Sequence, residues 1–250
     1  MDETHHPLTP APNPWAVPLD YAFLCDQTDR DGLLDLADLR LQDAHLPVRL
    51  PRPSSVAALD LSDNELTTLP EFLCEWMPLR SLQLCGNPIT VLPDEIEQLS
   101  NLGRLELRET RVNRFSGRIR ALRRLEVFAL TGGSIEWLPD GLGLCRELRN
   151  VDVSGNRLTH LSPSFFDLSR LRHLSIAGNC FTILPSQLAE LTALETLDAS
   201  ANPLKRVPWP VLDLPNLREL RLSSATLSPP ECAALQQVCR NRGIELIWVL

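Results

Sequence analysis

Leu171-Arg172-His173-Leu174-Ser175-Ile176-Ala177-Gly178-Asn179-Cys180-Phe181-Thr182-Ile183-Leu184-Pro185-Ser186-Gln187-Leu188-Ala189-Glu190-Leu191-Thr192-Ala193 is a line of sequence that Leu194 begins again. Counting back by 23 residues from Leu171 lands on Leu148, Leu125, Leu102 and Leu79, and counting forward lands on Leu194 and Leu217. Val56 starts an eighth copy in the same phase. Self-similarity at one fixed period in this size range marks a solenoid, in which each coil is a single structural unit stacked on the next.

The spelling of a coil follows from its physics. In Leu194-x-x-Leu197-x-Ala199 the alternating pair belongs to a short strand whose inward side chains fill the core, and the residues between them face outward. Asn202 then turns the chain. Its carboxamide both donates and accepts, so stacked copies at Asn64, Asn87, Asn156, Asn179 and Asn202 can satisfy the backbone groups of a buried turn. Leu-Pro dipeptides at 69–70, 92–93, 138–139 and 184–185 end the turn, and an L/I-x-x-L pair packs the return segment onto the strands.

The motif L-x-x-L-x-L-x-x-N-x-L-x-x-L-P resembles the 23-residue class of intracellular leucine-rich repeats found in Ras-suppressor and Scribble-like proteins and in bacterial effectors; the resemblance covers residues 36–250. It implies an α/β solenoid: a leucine-rich-repeat horseshoe with a parallel concave sheet, an N-terminal degenerate repeat and a C-terminal helix-strand cap. It also implies a protein-interaction module, without naming the partner.

The expected organisation is a disordered tail at 1–14, a cap and degenerate first repeat at 15–55, repeats at 56–227 and a cap at 228–250. Four prolines and little apolar surface mark the tail, whose polar, threonine-bearing start is also compatible with a bacterial secretion signal. In the C-terminal cap, Ser228-Pro229-Pro230-Glu231 reads as a capping box with proline at N1. Cys232, Leu235, Val238 and Cys239 form one helical face, and Gly243 stops the helix. Ile244-Glu245-Leu246 then reads as a last strand beside Leu220–Leu222.

Gln27 to Asp38 resembles an EF-hand or dockerin calcium loop, with Asp29, Asp31, Asp35 and Asp38 at positions 3, 5, 9 and 12 and Gly32 at 6. Position 1, however, is Gln27. The competing reading takes Leu36-x-x-Leu39-x-Leu41 as the first repeat, which needs strand where the calcium loop needs helix. The repeat is preferred, and no metal or other cofactor is assigned.

A net charge of −8, with 44% hydrophobic residues, describes an acidic globular chain. One lysine against 23 arginines reads as the codon usage of a GC-rich, bacterial genome. Seven cysteines without C-x-x-C, and no apolar leader, point to a reduced cytoplasmic protein, with delivery into a host cell as the alternative. No membrane association is expected.

Two coils depart from the pattern. Thr110 and Gly133 stand where asparagine is due, so the centre of the solenoid is expected to be its weakest part, and Gly133→Asn to stabilise it if the backbone permits. Eight arginines between 104 and 124 invite a nucleic-acid reading. The repeat register argues instead for ion pairs across coils: Glu95 with Arg118, Glu97 with Arg120, and Glu147 with Arg124.

No nucleophile–base pair, metal constellation or phosphate loop is evident. His173 shows no Cys or Ser partner in its column, and Cys85 reads as a strand-face thiol. Function is therefore sought in the outward columns, and catalysis is not expected. The central column reads Arg40, Asp60, Gln83, Glu106, Ala129, Asp152, Ser175, Asp198 and Arg221, an acid stripe with Arg104, Arg108, Arg149 and Arg172 at its edge and His173 beside it. Such a face, without an apolar pocket, suits a protein partner with a basic surface rather than a small molecule or nucleic acid. A regulatory or inhibitory subunit of an enzyme is the alternative. Replacing Glu106 and Asp152 by Ala is expected to leave the melting temperature unchanged, because the inward leucines stay intact.

The expected state is a monomer that folds without metal or disulfide. Its thermal transition should be the same with and without chelator or reductant, and independent of protein concentration; a loss of structure on adding either reagent would sink this reading.

Overall fold

The computed structural model describes residues 32–43, 56–69, 71–74, 78–114, 116–207 and 209–249. They form one parallel sheet in sequence order: β1 (Leu33–Asp35), β2 (Ala58–Asp60), β3 (Ser81–Gln83), β4 (Arg104–Glu106), β5 (Val127–Ala129), β6 (Asn150–Asp152), β7 (His173–Ser175), β8 (Thr196–Asp198), β9 (Glu219–Ser223) and β10 (Glu245–Val249). From β2 to β9 each strand pairs with the next at an offset of 23 residues, as in the pairing of Val151 with Leu174 and of Leu174 with Leu197. The fold is an open leucine-rich-repeat solenoid.

The alternating apolar positions do what their period requires. Leu59, Leu82, Leu105, Phe128, Val151, Leu174, Leu197 and Leu220 are all buried, as are the next inward residues from Leu61 to Leu222, in one core that runs along the solenoid. Fully burying such a side chain contributes about 1.5–3 kcal/mol. The return segments are single-turn 3-10 helices, each delivering one or two apolar residues to that core, such as Ile96, Ile119, Leu142 and Leu188. Pro93, Pro139 and Pro185 stand just before them in extended conformation. A short α-helix, α1 (Glu71–Cys74), takes this place in the first full coil.

The first repeat is present but shifted. Leu34 pairs with Leu59 and Asp35 with Asp60, so the strand lies at 33–35 rather than around Leu39 and Leu41. Leu36 and Leu41 are still buried, and the amides of Leu39 and Leu41 donate to Asn64. The offset is 25 residues here, because two extra residues in the turn let Asp38 and Arg40 both adopt positive φ. Arg40 therefore leaves the concave column, and Asp35 takes its place. The calcium-loop segment falls partly outside the described residues; its described part, from Gly32, is strand followed by turn, not the helix that an EF-hand needs.

The asparagine ladder works across coils. Asn179 donates to the carbonyls of Val153, Ile176 and Ala177 at 2.9–3.2 Å and accepts from the amide of Leu158 at 2.9 Å. Asn87, Asn156 and Asn202 repeat the arrangement. Thr110 keeps only the bond within its own coil, Oγ1 donating to the Leu107 carbonyl at 2.9 Å. Among the described residues the fully buried amides of Ile89 and Val112, which face Thr110 and Gly133, have no acceptor. Gly133 is not an empty socket, though. A Cβ there would meet Asn156 Oδ1 at 2.8 Å and the Val112 carbonyl at 3.1 Å. The neighbouring coils have closed onto the glycine, so Gly133→Asn would crowd them, contrary to the stabilisation expected from the repeat pattern.

The sheet is capped by α2 (Pro229–Arg242) and β10. Glu231 accepts from both the backbone amide and the hydroxyl of Ser228, and this lowers its pKa, with the hydroxyl bond the larger cause. Gly243 leaves the helix at φ 70°. Leu235 and Cys239 bury the helix on the last coil, and Arg242 ties it down through the Leu212 carbonyl and Asp213.

Chemical denaturation should separate the two kinds of turn. Asn179→Ala leaves several buried groups unpaired and should cost about 3 kcal/mol or more, whereas Thr110→Ala should cost about 1 kcal/mol. Amide exchange should be faster across 108–136 than across 150–205; uniform protection would show that the unpaired amides do not weaken the centre.

Candidate functional site

The outward residues of β4 to β9 line a shallow concavity of about 500 Å³ on the concave face. Its walls are Arg104, Glu106, Arg108 and Asp152 on one side and Glu219 and Arg221 on the other, with His173, Thr196 and Asp198 between them. Six of the ten predicted site residues meet there. Asp60 and Gln83 lie earlier, on β2 and β3, and Arg149 and Arg172 lie outside the concavity in the flanking column, where they pair with Glu126 and Glu195. Glu195 also meets Arg218, so this column neutralises itself.

The centre is an ion-pair relay. Arg104 meets Glu106 at 2.6 Å, Arg108 stands 3.7 Å from the other oxygen of Glu106, and its second arm reaches Asp152 at 2.6 Å, two coils away. It spans this distance because β5 presents only the methyl group of Ala129 between them. Ala129 is on the outward column yet 0% exposed, as a residue roofed by that bridge must be. Arg104 and Arg108 are therefore part of the concavity and not of its edge. Burial works against the Arg108 charge, but its hydrogen bond to Asp152 and the charges of Asp152 and Glu106 outweigh it and raise its pKa.

The acid stripe also has a structural role that the column reading missed. Asp152 Oδ1 accepts from the amide and hydroxyl of Ser154, and Asp198 Oδ1 does the same with Ser200. Asp60 accepts from the Ser62 amide and Asp35 from the Ala37 amide. These are Asx turns that close each strand, and the recurring Asp-x-Ser spelling was the available signal. Asp152 therefore cannot be truncated without cost to the fold.

His173 does find a hydroxyl partner, one strand on, in Thr196 at 2.9 Å. Cys85 stands one coil before Arg108; burial, aided by the Glu106 charge, pushes its thiol pKa up, away from nucleophilic use. Cys145 is buried with its thiol directed at the Ile119 carbonyl, its pKa pushed up to about 12 by burial. No group of three or more His, Cys, Asp or Glu side chains that could hold a metal occurs among the described residues.

On the convex side the arginines do pair across coils, with partners other than the register suggested. Arg118 takes Asp94 at 3.3 Å and Glu97 at 2.9 Å, because residues three apart eclipse in a 3-10 turn. Glu147 takes Arg170, and Arg124 bonds Asn101. Such exposed pairs are screened by water and salt and contribute little individually.

This geometry is that of a leucine-rich-repeat solenoid. Residues 146–204 and 78–99 match the models described as leucine rich repeat. Among solved structures the chain is similar to a leucine-rich-repeat protein of Leptospira interrogans, LIC12759, with 28% identity, TM-score 0.73 and coverage of 80% of this chain and 52% of that one. The chain thus spans about half the length of that relative. It is also similar to internalin C2 of Listeria monocytogenes, with 25% identity, TM-score 0.59 and coverage of 70% and 78%. A third likeness is to the ectodomain of the Arabidopsis thaliana receptor kinase GASSHO1/SCHENGEN3, solved in complex with CASPARIAN STRIP INTEGRITY FACTOR 2, with 27% identity, TM-score 0.61 and coverage of 68% and 21%. Comparison with curated proteins returns no significant match. No helix among the described residues is long and apolar enough to cross a membrane.

The two roles of Asp152 can be separated. Asp152→Ala should lower stability by about 1 kcal/mol, because it removes the acceptor of the Ser154 turn, whereas Asp152→Asn keeps that acceptor and should be nearly neutral in thermal melting. Equal melting temperatures for the two variants would assign Asp152 no structural part.

Proposed function

We propose that the chain is a protein-recognition module that docks a partner with a basic surface in the concavity of β4 to β9. The observation that carries this reading is the concavity itself: five of its six strands present polar and charged side chains, many held in place by ion pairs and Asx turns, and β5 adds only Val127 and Ala129, so that the floor is too open and too polar for a drug-sized apolar ligand. Among the described residues Asp198 in the concavity has no ion-pair partner, so an acidic position remains there for an incoming lysine or arginine, and Asp60 on β2 offers another beyond it.

The receptor ectodomain to which the fold is similar holds its partner in a complex, and this supports a recognition role. On this reading the protein is a monomer in a bacterial cytoplasm or, delivered by a secretion system, in a host cell; the two bacterial relatives support a bacterial origin. Regulation of an enzyme partner is the second reading, distinguished by whether a co-purified partner loses activity when bound.

Affinity purification followed by mass spectrometry should return a partner whose docking surface is rich in lysine or arginine. Glu106→Gln combined with Asp152→Asn should slow its association about tenfold, and added salt should do the same to the parent protein. Association unchanged in the double variant would remove the concave face from the interaction.

A further inference from the structure

One flank of the solenoid, between the asparagine turns and the 3-10 helices, has the opposite character to the concave face. Successive coils stack there through backbone bonds from Thr90 to Thr67, Asn113 to Thr90, Cys180 to Leu158 and Lys205 to Thr182, and through bridges that join Thr68, Val91 and Arg114. Residues 23 apart therefore form columns on this side as they do on the sheet. One column reads Val91, Arg114, Trp137, His160, Ile183, Arg206. Its apolar members are open to solvent: Val91 is 40% exposed, Trp137 55% and Ile183 54%. Large aromatic and aliphatic groups in this state are informative where they share a patch, because nothing in the core requires them to be there.

The charge of the flank points the same way. Arg111, Arg114, Arg157, Lys205 and Arg206 are exposed on it, in a chain whose net charge is −8; Glu136 stands among them, and Glu65 and Asp43 lie at its N-terminal end. Among the described residues none of these five cations is ion-paired, whereas the arginines of the concave sheet, Arg104, Arg108 and Arg221, are all held by carboxylates. At the centre of the flank, Trp137 lines a concavity of about 340 Å³ together with Glu136, Arg157, Thr159, His160 and Cys180. Trp137 and Ile183 are two coils apart, about 10 Å at the usual strand spacing.

We infer that this flank is a second, independent docking surface for an acidic peptide segment of a partner protein, with an apolar anchor seated against Trp137 and its carboxylates on Arg157 and the neighbouring cations. An exposed indole beside unpaired guanidinium groups supplies the rigid apolar contact and the charge-assisted hydrogen bonds that such a segment needs. A concave seat takes a side chain, whereas a membrane surface calls for a protruding apolar edge. The flank is basic where the concave face is acid-striped, so the two would select partner surfaces of opposite sign.

The test is selection of a random peptide display library on the immobilised full-length protein. Enriched sequences should combine Asp or Glu with Leu, Phe or Trp. A fluorescent synthetic copy of one should bind the parent more weakly as salt rises. Trp137→Ala and Arg157→Glu should each weaken that binding by about tenfold or more, while Glu106→Gln with Asp152→Asn leaves it unchanged. Both flank changes fall on exposed side chains, so thermal melting should match the parent, and each serves as a check if the other disturbs the fold. Enrichment of peptides without acidic residues, no enrichment, binding indifferent to both flank variants, or flank-dependent binding of phosphatidylserine vesicles in place of acidic peptides would each overturn the proposal. Because the concave variant is measured alongside, failure here leaves the concave reading untouched, and the reverse also holds.

Discussion

A solenoid of this kind stands or falls on making a buried turn acceptable. Each coil must bend sharply beside its inward leucines, and the bend takes backbone amides and carbonyls away from water, where an unpaired group costs about 1–3 kcal/mol. The carboxamide of the turn asparagine resolves this, and it does so between coils as much as within one: Asn202 bonds the Ile176 carbonyl and the Phe181 amide of the preceding coil. The ladder is therefore a lateral coupling as well as a turn device. Where Thr110 and Gly133 interrupt it, the carboxamide link is lost and the coupling falls back on apolar contacts, strand pairing and the remaining backbone bonds between coils.

With the inward positions committed to the core and the turn positions to backbone pairing, the remaining freedom lies in outward columns. The concave columns use it to build a fixed polar surface in which one substitution organises its surroundings. Ala129, small among larger neighbours, opens the lane through which Arg108 reaches Asp152, and the resulting bridge covers it completely. The lateral column uses the same freedom differently and leaves Trp137 and Ile183 to solvent among unpaired cations. One solenoid thus carries two surfaces of opposite electrostatic character on a shared core, which is physically cheap because the coils that support them do not change.

The period, the inward residues, the asparagine turns and the C-terminal helix and strand were legible in the sequence because each is a local pattern repeated or capped: Leu174 and Leu197 have to point inward if Ile176 and Ala199 do, and a strand's period of two leaves no alternative. The first repeat was legible as a repeat and not in register, because Leu34 with Leu36 and Leu39 with Leu41 both offer alternating leucines. Only its pairing with β2, two residues longer than the standard offset, decides between them. The convex ion pairs failed in a similar way. Counting by 23 finds the right neighbouring coil, but the eclipsed 3-10 turn selects Asp94 and Glu97 for Arg118.

The architecture is written in the chain itself, since a 23-residue apolar period admits one way of stacking coils so that all of them bury their leucines. The same period fixes which side chains are outward and hence available. What those side chains do emerges only once the coils are stacked: the aspartates of the stripe close Asx turns, Arg108 skips a coil, Gly133 has been closed upon, and Arg157, with no ion-pair partner among the described residues, stands beside an open tryptophan. The physical reason is one of range. Core burial is dictated by chain periodicity a few residues long, whereas charged side chains choose among several partners within reach, and that choice depends on the size of what lies between them.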